Sequence, residues 1–217
     1  MKKLSALLLA FLMAMSTFPA LAEAVPIDRA EEPLTLEEVL GKIDGDVYEN
    51  RFLGLGFRLP EKWRFSSEQE IRLTNERGGV ILGGDWKDLQ RQTSGILLMA
   101  ASARVGYVSL NLQILYLGRM LSLIQLLSAK TLAASQVKAL KKTLENNGMQ
   151  DVEVSAGTLT VDGRECDCLR AKCAYLQMNR YTTQLYLLRG EFMVYVTATA
   201  SSAEAADQAL DSLFWLE

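Results

Sequence analysis

The chain is 217 residues long, 49% hydrophobic and 23% charged, with a formal net charge of −3 and no histidine. That apolar content suffices for one packed core. The missing imidazole excludes Ser-His-Asp and Cys-His catalysis, histidine-ligated zinc and imidazole acid–base chemistry.

The first expected element is a leader. Lys2 and Lys3 precede an uncharged apolar stretch over 4–18, Pro19 breaks it, and Ala20-Leu21-Ala22 supplies a small-x-small pattern. This reads as a secretory signal peptide over 1–22, cut between Ala22 and Glu23. An uncleaved anchor is the alternative, but the apolar stretch is shorter than the ~20 residues a span needs. The chain is therefore expected to be exported: extracellular, periplasmic or associated with the cell envelope. No later span is expected. The most apolar region, 95–130, is interrupted by Arg104 and Arg119, which leave only 14 residues between them.

Without Lys2 and Lys3, 21 basic residues face 26 acidic ones. Residues 23–47 hold eight of those acids against Arg29 and Lys42 alone. The acidity therefore belongs to an N-terminal arm, and the body from Tyr48 onward is close to neutral. Such a body lacks the basic field that a nucleic-acid partner requires.

The arm carries Pro26 and Pro33 and then LTLEEVL. Thr35 and Glu38 form a capping-box pattern, Leu34 and Val39 a hydrophobic staple, and Gly41 a stop. The expected organisation is an acidic linker with one short helix over 23–47 and a single domain over 48–217. An acidic docking segment is the alternative reading of the arm.

In the body, Leu53, Leu55, Phe57 and Leu59 alternate with Gly54, Gly56 and Arg58, the period of a strand, and Pro60 ends it. Trp63 and Phe65 follow, and Ser67 with Glu70 predicts a capped helix near Ile71. The pairs Gly78-Gly79 and Gly83-Gly84 do not match a dinucleotide fingerprint. Two strands are expected around 96–104 and 108–117. Helical spacing then runs through Met120, Leu121, Ile124 and Leu127, and again through Val137, Leu140 and Leu144 before Gly148. Four strands follow, over 151–161, 164–176, 181–189 and 192–200, with Asp162-Gly163 as a two-residue hairpin turn. A last helix is expected from Ser201, boxed by Glu204, with Ala206, Leu210 and Phe214 as its apolar ridge. The fold class is α+β: an antiparallel β-sheet flanked by helices.

The stretch YENRFLGLGFRLPEKW resembles the opening strand of PsbP-like proteins, with Tyr48, Asn50, Phe57, Pro60 and Trp63 carrying the match. A helix ending in NNG, a long hairpin with a tight glycine turn, two more strands and a terminal helix with Leu213-Phe214 are similar in outline. The resemblance covers 48–217. It implies an α/β/α sandwich and a non-catalytic, partner-binding role, and it carries over no catalytic residue.

All three cysteines, Cys166, Cys168 and Cys173, lie in one predicted strand. A two-residue turn at Asp162-Gly163 places Leu159 opposite Cys166, Gly157 opposite Cys168 and Glu153 opposite Lys172. Near the turn the apolar side then holds Leu159, Val161, Cys166 and Cys168. Farther along it switches to Val152, Val154, Leu169, Ala171 and Cys173. In this register Cys173 faces away from Cys168 and lies about 16 Å along the strand. A bulge near Gly157 or Cys168 would instead bring it round to the other thiols. The cysteines are thus either packing residues or a redox or metal-binding cluster.

Among aromatics, Trp63 and Trp215 suit core closure, and Trp86, after Gly83-Gly84-Asp85, is the exposed candidate. Tyr186 and Tyr195 lie on adjacent strands, as a binding stripe on the surface or as sheet packing. Lys138, Lys141 and Lys142 suit a solvated helix face. The leading functional expectation is a non-enzymatic binding or assembly module with no cofactor or metal, whose partner is a protein or small ligand. The alternatives are a thiol redox or metal-binding protein using Cys166 and Cys168, and a hydrolase built on carboxylates.

Overall fold

The computed structural model describes residues 35–80, 95–105, 107–117, 129–176, 178–189 and 191–216, with backbone alone at 36 and 129–135. The expected leader with its cut between Ala22 and Glu23, the candidate Trp86 and the helical pattern around Met120 lie outside the described residues.

Helix α1 (Leu36–Leu40) opens with the expected box: the Thr35 hydroxyl accepts from the Glu38 N–H, and the Glu38 carboxylate accepts from the Thr35 N–H at 2.7 Å. Strands β1 (Lys42–Asp44) and β2 (Val47–Asn50) follow, then β3 (Leu55–Arg58). Residues 35–47 were expected to belong to an acidic linker with one short helix. They are instead folded in: Val39 is fully buried, and β1 pairs with β2. The Tyr48 hydroxyl donates to the Leu40 carbonyl, and the Asn50 amide donates to the Val39 carbonyl while its oxygen takes the Leu53 N–H. These two side chains tie α1 to the β2–β3 turn. The single strand expected over 53–59 is the second arm of this hairpin, because Gly54 at φ 66° reverses the chain first.

Strand β4 (Trp63–Phe65) leads to α2 (Glu68–Arg77), whose N-terminus carries the expected Ser67–Glu70 box. Strands β5 (Ile96–Ala103) and β6 (Ser109–Tyr116) pair antiparallel, with a bulge between Leu97 and Met99. Asn75 of α2 closes the open backbone there, donating to the Leu97 carbonyl at 3.0 Å and accepting its N–H at 2.8 Å.

Helix α3 (Ala129–Asn146) ends at Gly148, φ 79°. Met149 N–H reaches the Leu144 carbonyl and Gly148 N–H the Glu145 carbonyl, the pair of bonds that satisfies a helix end through a left-handed residue. Strands β7 (Gln150–Val161), β8 (Arg164–Tyr175), β9 (Met178–Arg189) and β10 (Phe192–Ala200) run as a meander. Asp162 and Gly163 both have positive φ, 45° and 76°, as a tight hairpin turn requires.

Helix α4 (Ala203–Leu210) is capped by Ser202, not by Ser201 as expected. It also stops short of Phe214. Leu213, Phe214 and Trp215 form β11 (Leu213–Trp215) and pair with Phe57, Gly56 and Leu55. The extended pairing wins because the far end of the Phe214 ring sits against Gly56, where any Cβ would collide with it.

The elements make two antiparallel sheets, ordered β1-β2-β3-β11 and β4-β5-β6-β10-β9-β8-β7. One face of the large sheet, the inner face, packs Leu112, Ile114, Val194 and Val196 against Tyr48, Leu55 and Phe57 of the small sheet and Leu210 of α4. The other, the helical face, packs Leu169, Tyr186 and Tyr195 against Leu140 and Leu144 of α3, and Leu97 and Ala100 against Ile71 of α2. The class is α+β as expected. The covering of the inner face is a small sheet with one helix rather than helices alone.

Candidate functional site

The cysteine-bearing strand has the unbulged register. Leu159 faces Cys166, Gly157 faces Cys168 and Glu153 faces Lys172. The bulge lies at the far end instead, between Gln150 and Glu153, where Asp151 has φ 51°. Cys166 and Cys168 therefore belong to the inner-face core and Cys173 to the helical-face core. A site using all three thiols is ruled out by this placement. The thiols are free and buried, and burial is the largest cause raising each above its ordinary pKa. None is poised as a thiolate. Among the described residues no group of three or more Cys, Asp or Glu side chains is placed to hold a metal ion.

Tyr186 and Tyr195 are not a surface stripe. Both are buried, their rings meeting edge to face with centroids 5.5 Å apart, and burial pushes the Tyr195 hydroxyl well above the usual phenol range. Trp63 and Trp215 are half-buried closures of the inner-face core, as expected, and Lys138, Lys141 and Lys142 are exposed on α3.

What the two tyrosines do mark is a polar strip across the helical face. One row of facing residues is Leu97, Gln113, Tyr195 and Tyr186; the next is Ala100, Asn111, Thr197 and Gln184. Part of the strip is satisfied internally: Gln184 donates to the Thr197 hydroxyl at 2.9 Å and accepts from the Tyr186 hydroxyl at 2.6 Å. Part is not. Both amide atoms of Gln113 and Oδ1 of Asn111 are buried without a hydrogen-bond partner. So are both amide atoms of Gln136, which occupies the turn before Leu140 on the buried side of α3. Gly95 lies close against Gln113, where an added Cβ would come within 3.3 Å of Oε1.

A buried amide group without a partner costs about 1–3 kcal/mol. Native folds rarely leave such groups unless a water, ion or ligand completes them. The strip contains amides, hydroxyls and phenols and no charge. It is chemically suited to a neutral molecule that both donates and accepts hydrogen bonds. The sequence showed Asn111 and Gln113 only as the polar half of an alternating strand, which reads as a solvent face.

The carboxylates offer less. Glu165 and Asp167 share the helical face beside the hairpin turn, and Asp167 is raised first by burial and then by Glu165. Asp207 of α4 is engaged by the Thr183 hydroxyl at 2.6 Å and the Arg170 guanidinium at 3.1 Å. Such an engaged carboxylate is a structural tie.

No family model matches the chain, and no curated protein does. Among solved structures it is similar to that of LpqN of Mycobacterium tuberculosis, a protein involved in cell envelope biogenesis. The identity is 12%, the match covers 75% of this chain and 83% of that one, and the TM-score is 0.35.

Proposed function

We propose that the protein is an exported, non-enzymatic binding module whose ligand lies against the helical face of the large sheet. Asn111, Gln113 and Gln136 contact that ligand. The carrying observation is the set of buried, unpartnered amide atoms on these three residues. A fold built for stability alone would fill those positions with apolar side chains. The ligand is a small, uncharged, hydrogen-bonding molecule, matched to the uncharged rows of the strip. Export rests on the leader pattern. Among the described residues no helix is long and apolar enough to cross a membrane. The absence of histidine and the burial of the three thiols argue against imidazole- and thiolate-based catalysis.

The test is Gln113→Leu, read by thermal denaturation and by native mass spectrometry of protein purified without denaturant. The variant is expected to be more stable by about 1–3 kcal/mol in ligand-free form and to lose a small neutral molecule that the wild type retains. A less stable variant, or a wild type that carries nothing, overturns the reading.

A further inference from the structure

The large sheet comes apart at one end. The ladder between β8 and β9 stops at Cys168 facing Leu185. Beyond it, β8 pairs only with β7 as far as Arg164, and β9 pairs only with β10 as far as Arg189. Trp215 of β11 is fastened at this splay: its indole N–H donates to the Val161 carbonyl at 3.0 Å and its backbone N–H to Asp162 Oδ2 at 3.0 Å. Two guanidiniums lie over its ring, Arg164 at 4.8 Å and Arg189 at 5.4 Å from the centroid.

Arg189 is the anomaly. It is only 7% exposed. Its Nε donates to the Leu53 carbonyl at 2.9 Å and its Nη1 to the Leu188 carbonyl at 3.2 Å, and it makes no ion pair among the described residues. Of the five N–H donors of a guanidinium, three are left without an acceptor among the described residues. Burying a cation without a counter-ion is costly, and a second cation beside it worsens the position. Contact with the face of an indole recovers about 0.5–2 kcal/mol per cation. Asp162, in the adjacent turn, makes no ion pair with either arginine. Arg164 is exposed, and among the described residues its side chain has the Trp215 ring and no hydrogen-bond or ion-pair acceptor. The arrangement has the parts of an oxyanion site: two planar donor forks at one indole ring, one of them held in place by backbone carbonyls.

We propose that the splay between β8 and β9 binds a phosphate group through Arg164 and Arg189 against Trp215. A phosphate dianion matches the two positive charges, whereas a single carboxylate neutralises only one. This site uses different residues from the amide strip and stands or falls separately from it. The phosphate belongs either to a soluble phosphate compound or to a lipid headgroup.

The experiment titrates the full chain with pyrophosphate by calorimetry and, in a second arm, measures flotation with phosphatidylcholine vesicles containing phosphatidic acid. Arg164→Gln is the principal variant, because an exposed side chain held only by its contact with the Trp215 ring can be changed while the fold is kept; thermal denaturation confirms that it is. Pyrophosphate binding weakened about tenfold in the variant assigns a soluble phosphate compound. Vesicle binding lost in the variant, without pyrophosphate binding, assigns a lipid headgroup. No binding in either arm, binding equal in wild type and variant, or tighter binding of succinate than of pyrophosphate overturns the proposal.

Discussion

The two faces of the large sheet share every strand and yet are built differently. On the inner face, residues such as Leu112, Ile114, Val194 and Val196 form a wide apolar floor, roofed by the small sheet and α4. On the helical face, the apolar contacts beneath α3 and α2 are separate clusters, and Asn111, Gln113, Gln184 and Thr197 are buried on the same strands. One face is organised by packing. The other gives up packing for polar groups, some satisfied and some waiting. The comparison teaches that burial alone does not identify a core, because what distinguishes the faces is whether their buried atoms have partners.

The largest test of this contrast is Phe57→Ala on the inner face. Phe57 is fully buried and its ring meets those of Trp63 and Phe65 at 6.3 and 6.0 Å. Urea denaturation is expected to show a loss of about 3–5 kcal/mol. A loss under about 1 kcal/mol would mean that the small sheet contributes little, and the contrast would collapse.

The thiols give a second test. Cys173 reports on the helical face, and Cys166 and Cys168 report on the inner face. A face covered by separate helices should open locally more readily than one roofed by a sheet. Under native conditions a thiol reagent is therefore expected to label Cys173 before the other two, as read by peptide mass mapping. Equal rates at all three would mean that the faces open together. Because burial raises all three thiols, labelling should require opening even at mildly alkaline pH.

The smallest effect concerns the cap of α2. Glu70 is held below the ordinary carboxylate pKa, first by the Arg64 side chain and next by the Ser67 backbone N–H. A depressed folded pKa contributes stability that is present above the unfolded value near ~4.3 and lost as pH falls through the folded one. Both partners are about half exposed, so solvent screens the pair. Glu70→Gln is expected to cost less than about 1 kcal/mol at neutral pH, with the difference shrinking below about pH 4. A difference that persists in acid would mean that the cap acts through geometry and not through charge.

Local signals were legible wherever one residue forces a backbone state. Asp162-Gly163 set the register of β7 against β8 and with it the faces of all three cysteines. Thr35, Ser67 and Gly148 marked helix ends that the structure keeps. Pairings between distant segments were not legible. Leu213-Phe214-Trp215 continues a helical pattern, and only the bare surface of Gly56, over 150 residues earlier, makes a strand the better choice. The candidate site was hidden for the same reason. Gln113 alternates with Leu112 and Ile114 as any half-solvated strand residue would, and its burial depends on segments elsewhere in the chain.

The pairing of β11 with β3 also sets a timetable. Chains are made and delivered from the N-terminus onward, so β2 and β3 exist long before the strand that completes their sheet. Until residue 215 arrives, Gly56 lacks its Phe214 lid, and Val161 and Asp162 lack the Trp215 groups they accept from. Completion of the small sheet must therefore wait for residues 213–215, as expected for a topology whose contacts are distant in sequence. Until then an emerging chain carries an apolar floor whose roof still lacks β11, and such exposed apolar surface is prone to aggregation.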